Sequence, residues 1–283
     1  DVTNAMRAHI LTAAVPYIKQ YTDQYVVVKY GGNAMIDEEL KKSVMKDLML
    51  LQLVGVKVVL VHGGGPAINS TLDAMKIESH FANGLRVTDE ATMDVVQMVL
   101  AGKVNKGLVA DLTDLGGKAV GLCGVDGNMI QVHKQNDELG YVGSIDTIDT
   151  SIIDDVISRG YIPVISSIGM GADGKTYNIN ADTVAAKIAG ALKAETMVAM
   201  TNIDGVLRDV HDPSSLISKI TMAEADQLKA EGIIAGGMIP KVDCCLEAIK
   251  SGAQKVFIIN GEIPHAILIE LLTDEGLGTM FVK

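Results

Sequence analysis

The sequence predicts an α/β protein with a mostly parallel central sheet. Two apolar strands, VVVKY from Val26 and VVLVH from Val58, each end in a glycine cluster that opens a helix. Strand-like runs then alternate with helical patterns along most of the chain, which is typical of parallel strands joined by crossover helices. The 283 residues give room for about two domains or one large α/β unit.

The elements follow in order along the chain. Residues 3–21 form an amphipathic helical pattern that Pro16 is expected to kink. Strands are predicted at 25–30, 56–62, 161–167, 196–200, 255–259 and 279–282. Helices are predicted at 38–53, 65–75, within 89–114, at 150–159, 180–192 and 237–251, and once more before the final strand. The glycine-punctuated stretch 119–148 is expected to form hairpins or loops over the sheet edge.

Two lobes are predicted, with a soft boundary near residue 192. The resulting segments are an N-terminal helix at 1–22 and lobes at 23–192 and 193–283. Because no low-complexity linker separates the lobes, we expect them to share one continuous sheet. A cleft between them is then the natural position for a functional site.

Composition excludes several classes of function. A net charge of −11, aromatic residues at 4% and the absence of Trp argue against a nucleic acid partner. No apolar run approaches the roughly 20 residues of a membrane span, so we expect a soluble protein without a membrane partner. The three cysteines have neither zinc-ligand spacing nor an even count, which favours a reducing cytoplasm.

The glycine clusters after the first two strands are candidate anion sites. Glycine lets a ligand approach the backbone, and the first N–H groups of the following helix have no partner within it. These N–H groups and the helix dipole favour phosphate or carboxylate. Each cluster alone is equally well explained as a tight strand-to-helix turn, but Lys29 at the mouth of the first favours a ligand.

Arg86 and Lys241 are further candidates for binding anions. Arg86, in NGLRVTDE, has a planar guanidinium suited to a carboxylate, although an ion pair with Asp89 explains it equally well. Lys241 opens a helix after Gly236 and Gly237, in another arrangement suited to an anion.

Three polar side chains surround the start of the helix predicted at 180–192. Asn178, Asn180 and Asp182 exceed what one helix cap requires, and an acid beside a phosphate-binding lysine would orient it. His62 at a strand end is more often structural than a general base. Cys244 and Cys245 are interpreted as packing residues.

Together these residues suit in-line phosphoryl transfer. Such transfer depends on alignment and on neutralising charge over the phosphoryl oxygens, which lysines and backbone N–H groups can provide. A carboxylate acceptor is already ionised and needs no general base. Neither of the glycine clusters after the first two strands has the P-loop pattern or the GxGxxG spacing, so they do not indicate a Walker NTPase or a dinucleotide dehydrogenase.

Six motifs carry a resemblance to a known family. VVVKYGGNAM, VHGGGPAI, NGLRVTDE, the NxNAD pattern at 178–182, TNIDGVL and GGMIPK occur in this order across nearly the whole chain. They closely resemble the acetylglutamate kinase branch of the amino acid kinase family. The resemblance implies an αβα sandwich and ATP-dependent phosphorylation, with Mg2+, of the side-chain carboxylate of N-acetyl-L-glutamate in arginine biosynthesis. It places the acceptor on the lobe 23–192 and ATP on the lobe 193–283.

The same resemblance implies a role for each matched residue. Lys29 and Lys241 would stabilise the transition state, Asp182 would orient them, and Gly32 and Gly64 would donate backbone N–H groups. The acceptor would be held by Gly64, Gly65, Arg86 and Asn178, with Arg86 on its α-carboxylate. The nucleotide would contact, largely through the backbone, Asn202, Gly205, Leu207, Ile233, Ile234, Ala235, Gly236 and Gly237. Asn202 stands where an acid is frequent in the family, and no residue is assigned to metal.

Inhibition by arginine is a second implication of the resemblance. Members that arginine inhibits carry an extra N-terminal helix and a C-terminal stretch like HAILIELLTDEGLGT, and this chain has both. For such members the resemblance implies a ring-shaped hexamer joined through the N-terminal helices, with arginine bound near that junction. His265, Glu270 and Gly276 would bind the arginine. The alternative is that residues 3–21 cover a sheet edge or form an ordinary dimer contact.

Two other functions remain open at this stage. A kinase of the same family could act on acetylaminoadipate, which is one methylene longer, a difference worth only about 1 to 3 kcal/mol. A non-catalytic arginine sensor could keep the same fold, although intact Lys29, Asp182 and Lys241 argue against it.

Overall fold

The computed structural model describes residues 3–283, so residues 1 and 2 of the predicted N-terminal segment lie outside the described residues. The strands are β1 Tyr25–Tyr30, β2 Lys57–His62, β3 His80–Ala82, β4 Leu85–Val87, β5 Ala119–Cys123, β6 Ile130–Lys134, β7 Gly143–Ile148, β8 Ile162–Ser166, β9 Ile168–Gly171, β10 Thr176–Asn178, β11 Thr196–Thr201, β12 Lys219–Thr221, β13 Lys255–Asn260 and β14 Thr279–Val282. The α-helices are α1 Asn4–Ala13, α2 Val15–Tyr21, α3 Glu38–Leu53, α4 Gly65–Met75, α5 Glu90–Gln97, α6 Asn105–Asp114, α7 Ser151–Ser158, α8 Ala181–Ala191, α9 Met222–Ala230, α10 Met238–Ser251 and α11 Ala266–Leu272.

One eight-stranded sheet forms the centre of the protein, in the order β12-β14-β13-β11-β1-β2-β8-β5. Its strands pair in parallel except for the antiparallel β13 and β14. The pairing of β1 with β11 joins strands from both sides of residue 192. The sheet is therefore continuous across the predicted lobes. Because its strands are mostly parallel, the turns that lead from strands into helices lie together at the carboxyl edge of the sheet.

The sheet carries helices on both faces because successive strand residues point to opposite sides. Val27 and Val59 pack with α7, α8, α9 and α10 in one core cluster. Val26, Val28 and Leu60 pack with α3, α6 and α11 in a second cluster. The predicted three-layer αβα sandwich with a mostly parallel central sheet is confirmed.

The stretch 119–148 differs from its prediction in part. β6 and β7 do form a hairpin, which joins β9 and β10 in a separate four-stranded sheet. β5, however, is an edge strand of the central sheet, paired in parallel with β8. Its pattern is short and interrupted by Gly121, so alternation alone did not reveal it. The strands β3, β4, β9, β10 and β12 and the helix α9 were also not predicted.

A long helical stretch contains one irregular turn. α5 and α6 are joined without a break by a π-helical segment, Met98–Val104.

At the N-terminus, the helical pattern is divided at Ala14, with Pro16 in the first turn of α2. This division is where the sequence predicted a kink, because proline fits the first turn of a helix but not its interior. Across residues 3–283, every helix is too short or too polar to span a bilayer.

Candidate active site

Two glycine turns lie side by side at the carboxyl edge of the central sheet. β1 and β2 are parallel neighbours, and Tyr30 pairs with His62. The Gly63 N–H donates to the Tyr30 carbonyl at 3.1 Å, which extends the pairing by one residue. Both turns therefore open on one cavity, which has a volume of about 290 Å³.

This first cavity brings together most of the residues predicted for catalysis and acceptor binding. They come from β1, the turns after β1 and β2, the β3–β4 hairpin, β10 and α8. Those that line it are Lys29, Gly32, Gly64, Gly65, Arg86, Asn178 and Asp182. Lys241 is the predicted catalytic residue within 3–283 that does not line it.

Lys29 and Asp182 form an ion pair in the lining of the cavity. Lys29 Nζ lies 2.9 Å from Asp182 Oδ1, and their side chains are 12% and 23% exposed. Asn180 is the N-cap of α8, and its side chain accepts the N–H groups of Asp182 at 2.9 Å and Thr183 at 3.3 Å. Because Asn180 supplies the cap, the Asp182 carboxylate is left to hold the lysine. The pair is buried enough to be ordered and open enough to meet a ligand.

Arg86 is buried and held by neutral partners. It is 7% exposed, and its guanidinium donates to Asn69 Oδ1 at 2.6 Å and to the Ser79 hydroxyl. The guanidinium also lies over the Phe81 ring, 4.7 Å from its centroid. Asp89, the ion-pair partner that the sequence offered as an alternative, instead caps the first turn of α5. The charge of Arg86 therefore faces a cavity rather than this carboxylate.

A hairpin and a strand end complete the wall. β3 and β4 are joined by Asn83 and Gly84, whose φ angles of 50° and 79° are typical of a two-residue hairpin turn. Asn178 ends β10, and its Nδ2 donates to Thr88 Oγ1 at 3.4 Å. The hairpin thus carries Arg86 to the cavity from one side while Asn178 reaches it from another.

Lys241 lies in the first turn of α10, which packs along α8. Lys187 of α8 and Glu247 of α10 form an ion pair across the two helices, with 2.5 Å between Nζ and Oε1. Both helices lead into neighbouring parallel strands, β11 and β13, so both start at the carboxyl edge of the sheet. Asp182 and Lys241 consequently project from the first turns of adjacent helices.

A second cavity, of about 410 Å³, lies beyond the end of β11. It is lined by five of the residues predicted to contact a nucleotide, Asn202, Gly205, Leu207, Ile233 and Ala235. The Ile234 side chain is instead buried in the core. Gly236 and Gly237 do not line the cavity and lie at the start of α10.

Asn260 and Val210 are among the residues of the second cavity that the sequence analysis did not identify. Asn260 at the end of β13 donates from Nδ2 to Asp204 Oδ1 at 2.8 Å, which places an acid there two positions after Asn202. Val210 is 74% exposed and borders the same cavity. The sequence signal for Asp204 was its place in TNIDGVL, whereas Asn260 became visible only through strand order.

The residues predicted for regulation lie around α11. His265 precedes this helix, and its Nδ1 lies 2.6 Å from Asp47 Oδ1. Glu270 Oε2 accepts two N–H groups of the following loop, at 2.6 Å and 3.0 Å. A Cβ on Gly276 would lie 2.7 Å from Glu270 Oε1, so this loop closes tightly on the helix. The N-terminal segment reaches the same loop through a hydrogen bond from the Tyr17 hydroxyl to Asp274.

The described part of the chain has neither a cluster of metal-binding side chains nor a disulfide. Residues 3–283 contain no group of three or more His, Cys, Asp or Glu side chains placed to hold an ion. Cys123, Cys244 and Cys245 are free. Asp182 is the only carboxylate among the described residues that line the first cavity, and Lys29 already occupies it.

Comparison with known sequences gives a consistent result. Residues 24–260 match the model of the amino acid kinase family. The chain is 52% identical over 285 residues to the acetylglutamate kinase of Brachyspira hyodysenteriae, a match that covers 100% of this chain and 99% of that protein.

Comparison with solved structures extends the likeness to a larger enzyme. N-acetylglutamate synthase from Neisseria gonorrhoeae, complexed with coenzyme A and N-acetyl-glutamate, superposes with a TM-score of 0.85 at 28% identity, covering 98% of this chain and 63% of that chain. The same synthase complexed with coenzyme A and L-arginine gives a TM-score of 0.80 at 25% identity, covering 98% and 65%. This chain thus spans about two thirds of the synthase's length.

Proposed function

We propose, because the chain belongs to the amino acid kinase family, that it transfers the γ-phosphoryl group of ATP to the side-chain carboxylate of N-acetyl-L-glutamate. The first cavity would hold the acceptor and is called the acceptor cavity below. The second would hold ATP and is called the nucleotide cavity. The product is an acyl phosphate, N-acetylglutamyl 5-phosphate, and we place the reaction in arginine biosynthesis in the cytoplasm.

The Lys29–Asp182 ion pair is the observation that carries this proposal. It lines the acceptor cavity together with the two glycine turns and the buried, charged Arg86. A dicarboxylate acceptor supplies one negative group for Arg86 and another that must approach a phosphoryl group near Lys29. A bidentate guanidinium–carboxylate contact would fix the α-carboxylate and leave the side-chain carboxylate to react.

The transfer step needs alignment rather than a base. An oxygen of the ionised side-chain carboxylate forms a bond to the γ-phosphorus, while the bond from that phosphorus to the β,γ-bridging oxygen breaks and ADP leaves. Lys29 and Lys241 would neutralise charge on the moving phosphoryl oxygens, and N–H groups of Gly32 and Gly64 would donate to them. Asp182 would keep Lys29 aimed at this position.

Magnesium fits the proposed site only as an ion carried by the nucleotide. The single carboxylate of the acceptor cavity within the described residues is already paired with Lys29. Mg2+ commonly binds through substrate phosphates and water with few protein ligands, so this donor set does not conflict with it. When bound, the ion would neutralise charge on the β- and γ-phosphates.

Trapping of the acyl phosphate with hydroxylamine tests the function directly. The purified chain is supplied with ATP, Mg2+ and, in separate reactions, N-acetylglutamate, acetylaminoadipate, glutamate or aspartate. We expect hydroxamate mainly from N-acetylglutamate. Absence of hydroxamate from all four acceptors would refute the kinase proposal, and a preference for acetylaminoadipate would reassign the substrate.

We also propose that arginine inhibits this reaction and that the chain forms a hexamer through its N-terminal helices. The similar synthase is known in complex with L-arginine. α1 presents exposed apolar side chains, Met6, Ile10 and Leu11, that are suited to contact with another copy. The Tyr17–Asp274 hydrogen bond joins the N-terminal segment to the loop that Glu270 closes, which is where the effector would act.

The regulatory proposal has its own test. Initial rates are measured at subsaturating N-acetylglutamate with and without saturating arginine, and the mass of the particle is measured by light scattering. Unchanged rates would refute inhibition by arginine. A Leu11→Asp variant that keeps the wild-type mass would refute assembly through α1.

A further inference from the structure

A buried histidine lies directly behind the Gly63–Gly65 turn of the acceptor cavity. His62 ends β2, is fully buried, and its Nδ1 lies 2.8 Å from the Gly63 carbonyl oxygen. Burial lowers the pKa of His62 to about 4, so the ring is neutral near neutral pH. A neutral imidazole has one N–H, and the carbonyl oxygen can only accept, so this N–H must be on Nδ1.

Asn105 fixes that tautomer from the other side of the ring. Its Nδ2 lies 3.0 Å from His62 Nε2 and 2.8 Å from the Val164 carbonyl oxygen, with the Leu122 carbonyl oxygen farther away at 3.4 Å. These carbonyl groups determine which end of the amide is NH2. Since the amide nitrogen can only donate, Nε2 must be the unprotonated acceptor.

The amide oxygen of Asn105 also has a donor. Lys106 Nζ donates to Asn105 Oδ1 at 3.3 Å and to the Gly121 carbonyl at 3.1 Å. A Cβ on Gly121 would lie only 1.9 Å from Asn105 Oδ1, so β5 has room for this amide only because residue 121 is glycine. The glycine that interrupts the β5 pattern thus serves the buried amide.

The π-helical segment brings Asn105 to this position. The backbone N–H of Asn105 is directed to the carbonyl groups of Leu100 and Gly102, so Leu100 and Asn105 lie on one face although five positions separate them. In a regular α-helix, residues five apart do not share a face. Leu100 and Val104 also pack on the turn, since a Cβ on Gly64 would lie 2.7 Å and 3.3 Å from their methyl carbons.

The hydrogen bond to the Gly63 carbonyl has a consequence for the next N–H. A trans peptide is planar, and its C=O and N–H point in opposite directions. A Gly63 carbonyl drawn toward His62 therefore directs the Gly64 N–H away from the histidine. Gly64 lines the acceptor cavity, and none of the described residues accepts this N–H.

We infer that His62 and Asn105 are positioning residues that orient the Gly63–Gly64 peptide so that the Gly64 N–H is aimed at the group transferred or its acceptor. The inference rests on the proposed function, in which Gly64 donates during phosphoryl transfer. Asn105 sets the tautomer, His62 holds the carbonyl, and the planar peptide transmits the direction.

Two substitutions of similar size separate positioning from simple structural support. The amide NH2 of His62→Asn occupies nearly the position of Nδ1 and can still donate to the Gly63 carbonyl. His62→Gln places its polar group near Nε2 and leaves the Nδ1 position without a donor. We expect kcat of His62→Asn within about fivefold of wild type and kcat of His62→Gln lowered about 100-fold, with little change in the KM for ATP. The exposed His133→Gln serves as the control for loss of a histidine.

A tautomer measurement decides the matter independently of activity. Nitrogen-15 NMR of histidine-labelled wild-type protein should show His62 protonated on Nδ1 and unprotonated on Nε2, and Asn105→Asp, which replaces the donor at Nε2 by an acceptor, should place a proton on Nε2 as well. Equal loss of kcat in both His62 variants, wild-type kcat in both, or a proton on Nε2 in wild type would overturn the inference. If wild type forms no hydroxamate, the proposed function fails, and the NMR result still decides whether His62 holds the Gly63 carbonyl.

Discussion

The acceptor cavity and the nucleotide cavity lie at one edge of the sheet but are built differently. The acceptor cavity presents charged side chains, the Lys29–Asp182 pair and Arg86, brought together from separate elements. The nucleotide cavity is lined mostly by glycine and apolar residues of the two segments 202–210 and 232–238, and its polar side chains are Asn202, Asp204 and Asn260. From this difference we expect ligand binding in the acceptor cavity to depend on particular side-chain groups, and ligand binding in the nucleotide cavity to depend on the conformation of the backbone.

This comparison predicts opposite sensitivities. Removing a side chain should damage the acceptor cavity, where charge is the means of recognition. Adding atoms should damage the nucleotide cavity, where contacts are made largely by backbone and shape. The predictions below run from the largest expected effect to the smallest.

Removal of the lysine charge should have the largest effect. We expect Lys29→Met to lower kcat about 100- to 1,000-fold, because the phosphoryl oxygens lose a fixed positive charge. Lys241→Met should behave similarly, while the exposed Lys118→Met should keep wild-type kcat. Steady-state hydroxamate assays measure this, and wild-type turnover in either site variant would remove that lysine from the mechanism.

The histidine behind the acceptor cavity should make stability depend on pH. Its pKa is about 4 in the folded protein and about 6.5 when unfolded, so the folded state favours the neutral ring. Its contribution is complete above pH 6.5 and falls as the pH approaches 4, by up to about 3 kcal/mol. Burial raises the pKa of Asp47 to about 6, which changes stability with pH in the opposite direction. Asp47 is present in wild type and in any His62 variant, so its effect cancels when the two are compared.

The comparison to make is wild type against His62→Asn. Urea unfolding midpoints are measured at pH 7, 6 and 5, and wild type should lose more stability than the variant over this range. Parallel losses in the two proteins would show that His62 does not titrate as its burial requires.

Arg86→Ala should impair acceptor binding more than turnover. Loss of a charge-assisted contact costs about 1.5 to 3 kcal/mol, so the KM for N-acetylglutamate should rise about 10- to 100-fold while the KM for ATP stays near wild type. Arg86→Lys keeps the charge but not the bidentate geometry and should recover only part of the loss. A rise in the KM for ATP instead would contradict the assignment of the acceptor and ATP to separate cavities.

Gly205→Ala tests the nucleotide cavity by adding one methyl group. A Cβ there would lie 2.5 Å from Thr279 Oγ1, and the φ of 145° disfavours any other residue. We expect a loss of about 1 to 3 kcal/mol in stability and a raised KM for ATP, because the segment 202–207 must move. Leu207→Ala, which removes atoms from the same wall, should change the KM for ATP much less. The reverse order would contradict a cavity defined by its backbone.

Much of the fold could be predicted because its signals are local. β1, α3 and α4 have the bounds that the sequence indicated, since apolar runs end at glycine turns and Asp37 caps α3. Lys29, Arg86 and Asp182 drew notice because each carries a charge beside a turn, whereas the assignment of an acceptor to this cavity came from the family resemblance. β5 was missed because Gly121 breaks its pattern, and that glycine is explained only by the Asn105 amide beside it.

The rest depends on contacts between distant parts of the chain. His62 and Asn105 are 43 positions apart and meet because a π-helical turn rotates the helix. The Asp204–Asn260 hydrogen bond depends on β11 and β13 being neighbours in the sheet. Neither strand order nor a π-turn has a short sequence signature, so composition and periodicity could not reveal these pairs.

The pairing of β1 with β11 also shapes how the chain must fold during synthesis. Val26 pairs with Thr196, 170 positions later. At a ribosome speed of about 5 to 20 residues per second, one edge of the apolar β1 waits roughly 10 to 30 s for its partner. An unpaired strand edge is a template for other chains, so the nascent polypeptide is exposed to aggregation until β11 emerges. The contact that closes the centre of the sheet in the finished protein is therefore among the last to form as the chain is synthesised.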